Sequence, residues 1–231
     1  MYFQILNASL IEQISRLFAE MPMVLGLSLA IAISAILCIW GKYSHKNKVV
    51  YVFKPLATTL VLFIVLVGGN LSSLYSQLVA IALVFSLAGD VFLMLPKDRF
   101  IAGLASFLVA HVFLIVAFSL QPFGFNWWLL LTIVILATAM FLILSPKLNN
   151  LKLPVGAYIL VIAVMVWLGC EIWLEKPTLS TQLVALGSIL FLISDGLLAL
   201  NRFKKSFKSA DIFILSTYFT AIWCFSLSTL P

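Results

Sequence analysis

Residues 77–95 read QLVAIALVFSLAGDVFLML, an apolar run that contains one charged side chain, Asp90. The hydrocarbon core of a bilayer is about 30 Å thick, and a helix needs about 20 apolar residues to cross it. The run has that length and no sustained apolar/polar alternation, so it reads as a transmembrane helix and not as a barrel strand. An Asp inside such a helix is out of place on energetic grounds. A charge at mid-bilayer costs at least about 2.5–3.5 kcal/mol, which makes the residue a functional candidate by default.

Working outward, runs of the same kind recur at 22–40, 49–67, 100–120, 127–145, 154–174, 181–200 and 211–230. Gly68-Gly69-Asn70, Pro96, Gln121-Pro122, Ser145-Pro146, Pro154 and Pro177 punctuate them. The fold class expected is all-α: a polytopic membrane helix bundle of about eight spans, forming one integral membrane domain over residues 1–231. Composition agrees. Of 231 residues, 64% are hydrophobic and 10% charged, with a mean hydropathy of +1.19. A soluble domain carries roughly 25% charged residues, so too little polar surface is present to coat a particle in water. No basic cluster interleaved with aromatics indicates a nucleic-acid surface, and no nucleic acid is expected as a partner. Cys38, Cys170 and Cys224 all lie in apolar stretches and read as small hydrophobic fillers. The first twenty residues lack a basic segment and cleavage site of the signal-peptide type. Ile5, Leu6, Leu10, Ile14, Leu17 and Phe18 instead have the spacing of an interfacial helix.

Basic residues set the orientation. Lys42, Lys46, Lys48, Lys97, Arg99, Lys147, Lys152, Arg202, Lys204, Lys205 and Lys208 all fall in the loops after odd-numbered spans. Only Arg16 and Lys176 lie on the other side, and Lys54 is inside a span. The charge pattern predicts that both termini lie outside the cytoplasm.

Four ionisable residues then sit within spans: Asp90, Asp195, Lys54 and His111. At 1.5 Å rise per residue, the two Asp and Lys54 share a depth of roughly 8–11 Å below the cytoplasmic loops, where they can converge on one cavity. Ser86, Ser106 and Ser194 are neutral polar neighbours, and Ala102, Ser106 and Ala110 form a small-residue face on the fourth span. Glu171 and Glu175 read as interfacial, and Asp211 as a solvated helix start. Residues 89–95 (GDVFLML) also resemble 194–200 (SDGLLAL), which predicts a possible parallel 4+4 internal repeat with the carboxylates in equivalent places.

Tyr51-Val-Phe-Lys54-Pro55-Leu, Gly89-Asp90-Val-Phe-Leu-Met-Leu, and Phe100-Ile-Ala-Gly103 through Phe107-Leu-Val-Ala-His111 resemble the YhhN/TMEM86 family. Pro154-Val-Gly-Ala-Tyr158 and Gly187 through Ser194-Asp195 continue the match in the same order, so that it covers about residues 49–220. The resemblance implies a multi-pass protein of a bacterial inner membrane and a lysoplasmalogenase-like activity. That activity cleaves the vinyl ether of a lysophospholipid to a fatty aldehyde and glycerophospho-ethanolamine or -choline. The resemblance also marks Asp90 and Asp195 as the catalytic candidates.

Vinyl ethers resist bases and hydrolyse by protonation of the β-carbon, addition of water to the resulting oxocarbenium ion, and collapse of the hemiacetal. The reaction needs a carboxylic acid that still carries its proton near neutral pH, and a second carboxylate as base or cation stabiliser. Glycosidases arrange two carboxylates around a related transition state. Lys54 suits the lysolipid phosphate as a point charge. His111, Tyr158 and Ser194 are candidate substrate- or water-orienting groups. No metal and no cofactor is expected: His45 and His111 cannot supply a three-His zinc site, and no Gly-x-Ser-x-Gly elbow occurs. Membrane lipids are the other expected partners. A proton-coupled transporter, with the Asp residues and Lys54 as a relay, and a non-catalytic lipid-binding protein are the alternatives.

Overall fold

The structure, a computed structural model, describes residues 12–95 and 99–231. Eight membrane-length helices run in order: α1 Pro22–Tyr43, α2 Asn47–Gly68, α3 Leu74–Met94, α4 Phe100–Ser119, α5 Trp127–Leu144, α6 Lys152–Glu175, α7 Leu179–Phe203 and α8 Ala210–Leu227. The described residues include no strand. The chain is thus an all-helical, multi-pass membrane protein, and the helix ends fall within a few residues of the sequence expectation.

Local chemistry explains several of those ends. Pro22 opens α1, where its missing N–H is no loss. The Asn126 side chain accepts from the Trp128 and Leu129 N–H groups to start α5. Thr178 and Thr181 form a reciprocal capping box at the head of α7. Before α1, residues 12–20 are helical, and Phe18 packs at 6.4 Å from the Trp223 ring of α8. Of the amphipathic stretch expected there, Ile5, Leu6 and Leu10 lie outside the described residues.

The packing follows the internal repeat. The two most extensive helix pairs are α3 with α4 and α7 with α8. The α2–α3 contact is matched by α6–α7, and α4–α6 by α8–α2. Both halves seat a phenylalanine ring on a glycine. A Cβ added at Gly89 would stand 2.7 Å from the Phe107 ring, and one at Gly187 would stand 2.7 Å from the Phe225 ring. The close approach of α4 to α3 therefore runs through Gly103 and Phe107. Gly103 receives Leu93, while Ser106 turns its hydroxyl back to the Ala102 carbonyl. Gly89→Val is expected to cost about 1–3 kcal/mol through overpacking, read as a lowered melting temperature in detergent. Gly26→Ala, whose added Cβ would meet nothing within 4 Å, serves as the neutral control.

The repeat breaks at α5. Whereas α1 lies closely along α2, α5 touches α6 far less. Only Ile133 and Leu144 of α5 are buried, and Leu131, Val134, Ile135 and Leu142 are exposed on its outer side. A loosely seated helix beside a tightly packed core leaves space between them.

One expectation is corrected at the opposite end of the bundle. Glu171 is not interfacial but buried, at 1% exposure. Its carboxylate accepts the Asn126 backbone N–H at 2.6 Å and the Trp167 indole N–H at 3.0 Å. The segment 121–126 folds over the end of α6 and uses Glu171 to satisfy its own backbone. Glu175, one turn on, is exposed as expected. Asp211 pairs at 3.9 Å with Lys42 and remains half-exposed.

Candidate active site

Helix α2 buries one stripe, comprising Val50, Lys54, Ala57, Thr58, Val61, Ile64 and Val65. Lys54 and Thr58 are one turn apart on it, so both face the same neighbour. That neighbour is Asp90 of α3, which is completely buried. Lys54 Nζ lies 3.0 Å from Asp90 Oδ1. The Thr58 hydroxyl donates to Oδ2 at 2.6 Å, and the Tyr218 hydroxyl of α8 donates to the same oxygen at 2.7 Å. Two helices, α2 and α8, thus supply a cation and two donors to one carboxylate on a third. A buried charge costs several kcal/mol unless it is paired and its lone pairs are filled. Here both oxygens are engaged.

Asp195 of α7 has a different setting. Its Oδ2 accepts the Tyr158 hydroxyl from α6, and it lines a cavity of about 220 Å³ enclosed by α3, α4, α5, α6 and α7. The cavity occupies the space beside α5. It runs from Phe100, Leu144 and Phe203, at the end that carries the basic loops, to Ile133 and Ile162 deeper in the bundle. Measured along α5 from Leu144 to Ile133, that is roughly 16 Å of helix. Asp195 is the charged residue of the lining, Tyr158 supplies a hydroxyl, and the remainder is apolar. The cavity wall is therefore apolar apart from one carboxyl and the hydroxyl that holds it.

An aromatic cluster separates the two carboxylates. Tyr158 meets His111 edge-on at 5.4 Å, His111 meets Phe191 at 4.6 Å, and Phe191 meets Tyr218 at 5.6 Å. Phe107 packs edge-on against both Phe191 and Tyr218, and also forms part of the cavity wall. Asp195 is open to the cavity while Asp90 is closed off behind these rings.

The remaining sequence candidates fall into place around this core. His111 is fully buried one ring behind Tyr158. Neither of its nitrogens has a partner in hydrogen-bond geometry. Lys54 is committed to Asp90 and is absent from the cavity lining. The Ser194 hydroxyl donates to the Ile214 carbonyl at 2.9 Å, which ties α7 to α8 rather than facing the cavity. Two residues of the network were not singled out as site residues by sequence. Thr58 carries a usable signal, because it stands one turn from Lys54 on the same face. Tyr218 carries only its place opposite His111 in the repeat. Among the described residues no group of three or more His, Cys, Asp or Glu converges as a metal set.

Tyr158→Phe removes the donor to Asp195 and keeps the ring. For any reaction that uses the Asp195 carboxyl, turnover is expected to fall about tenfold to hundredfold, with binding little changed, as a kcat-against-KM comparison would record.

Comparison with known proteins supplies independent context. The family model described as YhhN family matches residues 49–229. The chain is 28% identical over 192 residues to the Escherichia coli O157:H7 protein named "Uncharacterized membrane protein YhhN", covering 83% of this chain and 92% of that one. It is 34% identical over 158 residues to human "Lysoplasmalogenase TMEM86B", covering 68% and 65% respectively. It is 32% identical over 154 residues to bovine "Lysoplasmalogenase TMEM86A", covering 64% and 63%. No solved structure matches the chain.

Proposed function

The chain belongs to the YhhN family, and from that premise we propose that it is a membrane hydrolase of ether lysolipids, cleaving the vinyl ether bond of a lysoplasmalogen. The relatives named lysoplasmalogenase bring the reaction into view. The observation that carries the reading here is Asp195, a carboxyl held by a tyrosine on the wall of an otherwise apolar, chain-shaped cavity.

In this reading the alkenyl chain lies in the cavity with its ether carbons beside Asp195. The Asp195 carboxylic acid gives its proton to the β-carbon, and the π electrons shift to leave an oxocarbenium ion at the α-carbon. Water adds to that carbon and returns a proton to the Asp195 carboxylate. The hemiacetal then collapses to fatty aldehyde and a glycerol hydroxyl, so that one water is consumed and the acid is regenerated. Tyr158 holds the carboxyl in place, and His111 supports the Tyr158 ring from behind. Asp90 acts across the aromatic partition as a fixed negative charge that favours the cation, with Lys54, Thr58 and Tyr218 setting its position. A preorganised charge of this kind acts without reorganising in the low-dielectric interior. The protein's own residues suffice for each of these steps, which need no metal or cofactor.

In the same reading the site opens toward the cytoplasmic leaflet with both termini on the other side, an orientation that the charge asymmetry of the loops supports. Purified protein in lipid nanodiscs, given 1-alkenyl-glycerophosphoethanolamine and the corresponding choline lipid, is expected to release fatty aldehyde in proportion to enzyme. No aldehyde from either headgroup would remove the hydrolase reading and move the transporter alternative ahead of it.

A further inference from the structure

Resting on the lysolipid reading, we propose that the edge of the cavity between α4 and α5 is a lateral opening to the bilayer. Through it the substrate's hydrocarbon chain enters from the lipid, and the far half of the chain stays there during the reaction. The internal repeat locates the opening. Helix α1 packs along α8 as well as α2, and across that seam the Trp223 indole N–H donates to the Ser28 hydroxyl at 2.9 Å. Helix α5 is the counterpart of α1, and α4 is the counterpart of α8. Yet α5 makes no comparable contact with α4. It leans instead toward α7, where the Met140 side chain reaches Gly196. The seam that is sealed in the first half of the chain is left open in the second.

Leu136 marks the place. Its side chain lines the cavity, and the residue is also 55% exposed on the outside of the bundle. Ile133 and Leu144, which line the cavity elsewhere on α5, are buried. Across the gap, Leu104 of α4 lines the same cavity and is partly exposed. Leu136 precedes the Leu144 end of α5 by eight residues, and Asp195 precedes the Phe203 end of α7 by eight, a rise of about 12 Å in each case. Opening and carboxyl both stand well inside the apolar spans of their helices. A chain already in the bilayer therefore reaches Asp195 by moving sideways, without exposing its apolar surface to water.

Volume points the same way. The cavity holds about 220 Å³. A non-hydrogen atom in a liquid occupies roughly 30 Å³, the share of one water molecule, so this space takes about seven or eight chain carbons. A lipid chain that fills one leaflet, half of a hydrocarbon core about 30 Å thick, has roughly twice as many. The surplus has to leave the cavity, and the edge beside Leu136 is apolar and faces lipid. The cavity then reads the ether end of the chain and tolerates any length beyond about eight carbons.

The test uses saturated ethers, which cannot be cleaved. Equilibrium binding of 1-O-hexadecyl- and 1-O-octyl-glycerophosphoethanolamine to protein in nanodiscs is measured for the wild type, Leu136→Trp and Val134→Trp. Each ligand is referred to its own wild-type value, so partition into the nanodisc lipid cancels. Leu136→Trp, which fills the opening, is expected to weaken the hexadecyl ether about tenfold and to leave the octyl ether within about twofold. Val134→Trp, on the outer side of α5, should change neither. An unchanged hexadecyl affinity in Leu136→Trp, equal losses on both ligands, or no binding of either ligand by the wild type would overturn the opening. A photoreactive diazirine on the last carbon of the hexadecyl chain gives a readout that needs no substitution. Its label is expected on Leu136 and on nanodisc lipid. Label confined to Ile133 and Ile162, deep in the cavity, would mean a wholly enclosed chain and would overturn the opening as well. Aldehyde release from a lysoplasmalogen by the wild type, assayed separately, reports on the hydrolase reading, because the binding contrasts need no turnover.

Discussion

Asp195→Asn is expected to abolish aldehyde release, by about 10²–10⁴-fold or to background, while the bundle stays folded. The substitution is nearly isosteric. The amide oxygen of Asn still accepts the Tyr158 hydroxyl, so the link between α6 and α7 survives. What disappears is an acidic proton at the cavity wall, and an amide cannot deliver one to carbon. The saturated ether lysolipid should therefore bind the variant as it binds the wild type, which separates a lost chemical step from a lost site. Asp90→Asn is also expected to lower turnover strongly, because it removes the charge assigned to the cation. If both variants kept full activity, carboxylate catalysis at this site would be wrong. Retained activity in Asp195→Asn alone would transfer the acid's role elsewhere.

Lys54→Met should produce the largest change in stability, about 3–5 kcal/mol, by stranding Asp90 as an unpaired charge in the interior. Asp90 is wholly buried, and the Lys54 side chain is 11% exposed. Solvent therefore offers little compensation. Thr58 and Tyr218 would still donate to one oxygen, but the other would lose its cation. The double variant Lys54→Met/Asp90→Leu removes both charges and is expected to regain much of the loss. Thermal unfolding of the wild type, Lys54→Met, Asp90→Leu and the double variant in one detergent gives the coupling directly. A single variant as stable as the wild type would show that the pair is not closed to water.

The two predictions fall on residues that were legible in the sequence to different degrees. Asp90, Asp195, Lys54 and His111 stand out in any reading, because a titratable group in a lipid-length helix is energetically conspicuous. Helical rise put Lys54 and Asp90 at one level, and they meet. Tyr218 and Thr58 were harder to see. A hydroxyl in an apolar helix can bond its own backbone, as Ser86 and Ser188 do, so residue type alone does not reveal a partner on another helix. Glu171 misled for the opposite reason: its depth suggested the interface, and a loop then folded over it.

The sequence by itself determined the lipid-length helices, their number and the level of each charged residue along its own helix. Run length and hydropathy report on that one coordinate. Which way each helix faces was decided only by the tertiary structure. In lipid the outer and inner faces of a helix are equally apolar, so no amphipathic stripe points to the neighbour, and association is governed by packing shape and interhelical hydrogen bonds. Glycine-on-phenylalanine contacts lock α3 to α4 and α7 to α8, while α5 stands apart and leaves the cavity. That packing opened Asp195 to a chain-shaped space and closed Asp90 behind Phe107 and Tyr218, giving two carboxylates of similar depth two different environments.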